Sequence, residues 1–185
     1  MALRVAHKAL RDATARAHDQ VDAAFGGFDL ADRDSYRAFL KAHADVVLPL
    51  EAALDPVAGR IVPDWPERKR GALLREDLAF LRSAGEMLDV PNPQLPDLSS
   101  DAAIAGTLYV LEGSRLGGRF LARQLPLGFP RAYLDAHQRA DAWQGLLARL
   151  DEVLGDPAAL QTALAAADAA FAAFARSASN RLEKG

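Results

Sequence analysis

Residues 106–118 read Gly106-Thr-Leu-Tyr-Val-Leu-Glu-Gly113-Ser-Arg-Leu-Gly117-Gly118, an apolar helical pattern carrying four glycines where a stable helix has none. Each glycine inside a helix costs roughly 1 kcal/mol relative to alanine, so the four cost on the order of 4 kcal/mol. That is a large fraction of a small domain's net stability. A chain tolerates such a defect when something must lie directly against the helix backbone. Gly106, Gly113 and Gly117 share one face, at intervals of seven and four residues. On pattern alone, two occupants explain that face equally well: a flat ligand on bare backbone, or a second helix packed through the small pair Gly113-x-x-x-Gly117. Gly118 stands where a C-cap would, yet Arg119-Phe-Leu-Ala-Arg-Gln-Leu125 keeps the helical period beyond it.

Outward from this segment the apolar period stays near 3.6 residues, and no stretch alternates as a strand would. A first helix places Leu3, Ala6, Leu10, Ala13, Ala17, Val21 and Ala24 on one stripe and ends at Gly26-Gly27. A second runs from about Asp32 to Leu54, with a kink or break expected at Pro49. A third begins at Asp64-Trp-Pro-Glu67, read as a capping box, continues through Leu74, Leu78 and Leu81, and fades near Gly85. Residues 88–99 form a proline-stiffened connector, after which Ser99, Ser100 or Asp101 caps the glycine-bearing helix, expected to reach about Leu125. Pro126 to Pro130 is a turn. Another helix is expected from Arg131 to Leu154, broken near His137. The last starts at Asp156-Pro157 and buries Leu160, Leu164, Phe171 and Phe174. The expectation is one all-α domain over residues 1–185, with no internal repeat.

Composition narrows the function classes. The chain has 185 residues, half of them hydrophobic, 22 basic and 25 acidic, for a net charge of −3. No single-sign run suggests a nucleic-acid or membrane partner. With no cysteine, disulfides, thiolate metal sites and cysteine nucleophiles are excluded. The N-terminus lacks the pattern of a signal peptide, and no apolar run approaches the length needed to span a bilayer, so a cytoplasmic protein is expected. Glu-x-x-His pairs, the P-loop, Gly-x-Ser-x-Gly and Gly-x-Gly-x-x-Gly are all missing.

The first helix carries the other candidate. Arg11, His18 and Phe25 are spaced by sevens and lie almost in line, drifting only about 20° per step. Thr14 and Asp22 sit four residues either side of His18 on nearly the same face. Arg11 stands roughly 10 Å along the axis from His18. Two readings are open. One is an ordinary surface pair on an amphipathic helix. In the other, imidazole is a metal ligand and arginine pairs with a carboxylate of the same bound molecule. His43 lies on the apolar stripe of the second helix and reads as a core histidine. His7 and His137 read as surface positions, and Trp65 and Trp143 as packing residues at helix starts.

Leu10-Arg11-Asp-Ala-Thr14-Ala-Arg-Ala-His18-Asp-Gln-Val-Asp22 resembles the N-terminal helix of heme oxygenases. Tyr109-Val-Leu-Glu112-Gly113-Ser114-Arg-Leu-Gly117-Gly118 resembles the distal helix of the bacterial, phytochrome-associated branch. Leu74-Arg-Glu-Asp77-Leu78-Ala-Phe-Leu81 between them resembles the family's third helix. The resemblance covers about residues 8 to 176. It implies a heme-oxygenase-like helical bundle with heme, substrate and prosthetic group together, between two helices. His18 would be the proximal iron ligand, and a neutral histidine lacks the electron push of a thiolate.

Gly113, Ser114, Gly117 and Gly118 would form the catalytic distal face, where other branches place Asp rather than Ser114. Asp22 stands where Glu is often found. Arg11 would pair with a heme propionate, with Tyr133, Arg139 and Arg149 as further candidates. The implied reaction converts heme to biliverdin, carbon monoxide and ferrous iron. It uses dioxygen and electrons from an external donor, a reductase or ferredoxin, with no bound flavin. A photoreceptor is an implied acceptor of biliverdin. The alternatives are a heme carrier of the same fold and a helical interaction module packing through Gly113-x-x-x-Gly117.

Overall fold

The long helices form where the apolar period meets a capping side chain. The computed structural model describes residues 5–82, 93–137, 139 and 141–183. The readings made at Leu3, Gly85 and residues 88–92 lie outside them. The elements are α1 (Val5–Phe25), α2 (Arg33–Leu54), a 3-10 turn at Ala58–Arg60, α3 (Trp65–Arg68), α4 (Gly71–Leu81), α5 (Asp101–Ala122), α6 (Ala142–Val153) and α7 (Pro157–Leu182). No strand occurs among the described residues. Asp32, Ser100 and Asp156 accept from the backbone N–H of Ser35 (2.8 Å), Ala103 (3.2 Å) and Ala159 (2.9 Å), so three of the four longest helices have side-chain N-caps. The fourth, α1, is tied at its start by the Asp151 carboxylate of α6, which accepts from Ala6 N at 2.9 Å.

α7 is the central element, packed along α1, α2 and α5. It is long and apolar enough to cross a bilayer by length and composition, contrary to the sequence expectation. Its buried face, Ala163, Ala166, Ala167, Ala170, Phe171 and Phe174, is part of the core. Alanines keep this face shallow, and α5 approaches it closely at one point. A Cβ on Gly106 would fall 2.1 Å from the Ala163 carbonyl oxygen. At the other end Asp45 on α2 accepts from Ser177 Oγ (2.9 Å) and Arg181 Nε (2.7 Å), which locks the C-terminal turns of α7.

Two boundaries differ from the sequence expectation, and α2 also runs unbroken through Pro49. The helix expected from Asp64 to Leu81 divides into α3 and α4. Its capping box does not form, because Asp64 accepts instead from Arg68 Nε at 2.8 Å. The division is set by Glu51 of α2, whose buried carboxylate accepts from Arg70 N (2.7 Å) and Gly71 N (3.0 Å) and starts a new helix there. Residues 131–137 form turns rather than the start of a helix, and α6 begins only at Ala142. Here Asp77 of α4 accepts from the backbone N–H of Ala132 and Tyr133. In both places a carboxylate from a distant element competes for the N–H groups that a continuous helix would have used.

The α5–α7 contact makes a directional prediction. Gly106→Ala should lower the stability of the ligand-free protein, because the methyl meets backbone rather than a movable side chain. Forced separation of two packed helices costs about 1–3 kcal/mol, a fall of several degrees in Tm. An unchanged or raised Tm by calorimetry would contradict the contact.

Candidate active site

The four glycines of α5 separate by what faces them. Gly106 takes the α7 backbone. Gly118 is buried against the 131–134 turn, where the Leu134 carbonyl oxygen would lie 3.1 Å from an added Cβ. Gly113 meets only the rim of Trp143, at 3.8 Å, and Gly117 meets nothing within 4 Å. Leu116 and Phe120 flank this bare strip and are 57% and 64% exposed, on a helix whose other large apolar side chains are mostly buried. The strip is bare backbone between two exposed apolar side chains.

α1 supplies what a flat ring lying there would need if it carried a metal and acidic groups. The His18 side chain is exposed on α1, its ring 5.9 Å from that of Phe171 on α7. Its Nδ1 lies 3.2 Å from the Asp22 carboxylate. A carboxylate beside Nδ1 favours a proton on that nitrogen, which leaves Nε2 as the nitrogen that can meet a metal. Two turns earlier Arg11 is exposed beside Asp12. Tyr109 of α5 comes to the same place: Thr14 and Arg11 both favour its ionised form, Arg11 electrostatically. Burial nevertheless raises the phenol's pKa, so it stays a neutral donor. The rings of His7 and Trp143 lie 6.0 Å from Tyr109 and close this junction of α1, α5 and α6.

Behind the strip, charged groups grip α5. Arg68 Nη1 donates to Glu112 Oε2 and Arg115 Nε donates to Glu112 Oε1, both at 3.0 Å and both buried. Arg115 also donates to the Arg68 carbonyl. Arg70 Nη2 donates to Leu111 O (3.1 Å) and Ser114 Oγ (2.7 Å). Ser114 in turn donates to Leu111 O at 2.7 Å. The serine hydroxyl is thus oriented by a buried guanidinium.

A heme oxygenase family model matches residues 4–179 of this chain. The heme oxygenase of Xanthomonas campestris pv. campestris (strain 8004) is 37% identical over 150 residues, covering 77% of this chain and 88% of that relative. The chain belongs to the heme oxygenase family. It is a heme-degrading oxidoreductase, cleaving heme to biliverdin, carbon monoxide and ferrous iron with dioxygen and electrons from a reductase partner. The heme oxygenase of Neisseria meningitidis, solved with NO and CO bound, shares the fold with a TM-score of 0.80 at 24% identity, over 98% of this chain and 94% of that one. The heme oxygenase of Leptospira interrogans gives 0.69 at 21% identity, over 97% and 100%.

Two of the residues singled out from sequence are buried. Tyr133 is 1% exposed, its ring under the Arg70 guanidinium at 4.8 Å and against His43. Gly118 serves the packing of a turn rather than the bare strip. Arg139 pairs with Asp141, and Arg149 pairs with Glu152 on α6. Sequence reasoning missed Tyr109, Arg70 and the Glu112 cluster. Tyr109 lies four residues before Gly113 on the same face of α5, a signal present in the spacing. The arginines carried none, because their partners come from other elements.

His43 bears out its reading as a core histidine. Its Nδ1 is 3.0 Å from Phe39 O, and its ring lies among Phe25, Phe39 and Tyr133. Burial, opposed in part by that carbonyl, lowers its pKa from 6.5 to about 4. A folded-state pKa below the unfolded one means the native state holds neutral imidazole. The contribution is therefore complete above pH 6.5 and is lost as pH falls toward 4. His43→Leu should flatten this part of the stability profile, and the difference from the parent across the window should be on the order of 3 kcal/mol. Urea unfolding of the heme-free proteins at several pH values measures it; parallel profiles would contradict the burial of a neutral ring.

Proposed function

We propose that heme lies with one face on the Gly113–Gly117 strip of α5 and the other toward His18 of α1, whose Nε2 takes the iron. The observation that carries this reading is the open space at Gly117 between exposed Leu116 and Phe120. Within the chain, α5 meets the α7 backbone closely at Gly106, which leaves Gly117 uncovered. Bound heme supplies the redox-active iron and the carbon skeleton that is cut.

The chain's own groups then have separable tasks. Asp22 holds the His18 tautomer. Arg11 and the neutral phenol of Tyr109 bind one propionate, and Arg149 of α6 is a further cation for the acidic edge. Gly113 and Gly117 leave room beside the iron for dioxygen, where any side chain would intrude. Ser114, held by Arg70, offers a hydroxyl at the edge of that space and stands in for a carboxylate as the group that orders water there. Leu116 and Phe120 keep bulk water from the porphyrin edge. The absence of cysteine excludes a cysteine-bound iron–sulfur centre in this chain, so the electrons come from a separate reductase or ferredoxin.

His18→Ala should abolish the Soret spectrum of histidine-ligated heme while leaving the protein folded, since this side chain is exposed on α1. His7→Ala and His137→Ala should leave that spectrum unchanged. Titration of each variant with heme, alongside circular dichroism, checks both halves. Retention of normal ligation in His18→Ala would remove α1 from the site.

A further inference from the structure

The 130–134 turn has no regular structure, yet it is tied from several sides. Tyr36 Oη donates to Pro130 O at 2.8 Å, and Arg131 donates to Ala122 O (3.2 Å) in the last residue of α5 and to Pro126 O (3.0 Å) beyond it. Asp77 of α4, 2% exposed, holds the middle of the turn: Oδ1 accepts from Ala132 N at 3.1 Å and Oδ2 from Tyr133 N at 2.9 Å. Burial raises the pKa of this carboxyl, and the two N–H donors only partly offset it. Burying a carboxylate is unfavourable unless its acceptors are used, and here both are used on one short turn.

That turn reaches α5 by two routes. The Leu134 carbonyl oxygen presses on Gly118. The Tyr133 ring lies 4.8 Å from the Arg70 guanidinium, which donates to Ser114 Oγ at 2.7 Å. Both routes end on the segment 113–118. Neither is needed to form α4, whose N-terminus is already held by Glu51.

We propose that Asp77 is a positioning residue of the distal site, setting the height of the 131–134 turn and, through Tyr133 and Arg70, the orientation of the Ser114 hydroxyl. This rests on heme lying against the Gly113–Gly117 strip. A carboxylate that merely stapled the turn would affect stability alone. One that positions Ser114 also changes the electrostatic field at a ligand bound on the distal side of the iron.

The C–O stretching frequency of the ferrous heme–CO complex reads that field directly. Asp77→Asn keeps the shape but turns an amide N–H toward one of the two backbone donors. The expected result is a shifted C–O frequency with His18 ligation retained. Ser114→Ala should shift it as well, and the double variant should shift by less than the sum of the two, since groups that act partly in series are not additive. A lowered Tm with an unmoved C–O frequency would reduce Asp77 to a staple and overturn the proposal. Should Asp77→Asn fail to fold, Tyr133→Leu cuts the route at its next link and must give the same shift. Failure of the parent protein to show histidine-ligated heme would instead overturn the seat of the heme, and this inference with it.

Discussion

α5 has to be bare on one side, and the rest of the structure follows from how it is held on the others. Two of the three glycines that share one face remove the side chains that normally bury a helix against its neighbours. Such a helix gains little from packing in front, so it is secured from behind by buried charge. Glu112 receives Arg68 from α3 and Arg115 from its own helix, and Arg70 clasps the Leu111 carbonyl and Ser114. Buried pairs of this kind add little net stability, but removing one partner costs about 3–5 kcal/mol. They fix position rather than add strength, and position is what a ligand-binding face needs.

The same demand explains the awkward joint between α3 and α4. A continuous helix there would point Arg68 and Arg70 in directions about 200° apart at 100° per residue. Breaking the helix at Lys69 and Arg70 lets both guanidiniums reach the rear of α5, and Glu51 compensates the broken backbone by accepting two N–H groups. Gly71 makes that close approach possible, since a Cβ there would lie 2.6 Å from Glu51 Oε2. A loss in local helix geometry is therefore compensated by a carboxylate from α2, and the gain appears at the distal face.

What was legible in the sequence was whatever depends on one helix at a time. The extents of α1, α2, α5 and α7 follow from period and caps, and His18, Gly113 and Gly117 stand out by spacing along single helices. The α3–α4 break and the turns at 131–137 were not legible, because Glu51 and Asp77 impose them from other elements. The place of Tyr109 beside α1 and α6 was not legible for a similar reason. Only the folded chain shows which phenol lies beside His7 and Trp143 and which is sealed under Arg70. Likewise, four glycines in one motif look alike until Ala163, Trp143 and Leu134 are in place around them.

The central claim is that Gly117 is kept bare for the heme and its ligand and not for the fold. A Gly117→Ala variant tests it when the unfolding free energy of the heme-free protein and the rate of biliverdin formation are measured on the same preparation. An added Cβ meets nothing in the protein, so helix propensity alone should raise apo stability by up to about 1 kcal/mol. The same methyl should enter the space needed beside the iron, so biliverdin should form more slowly. A variant that is both more stable and fully active would contradict the account.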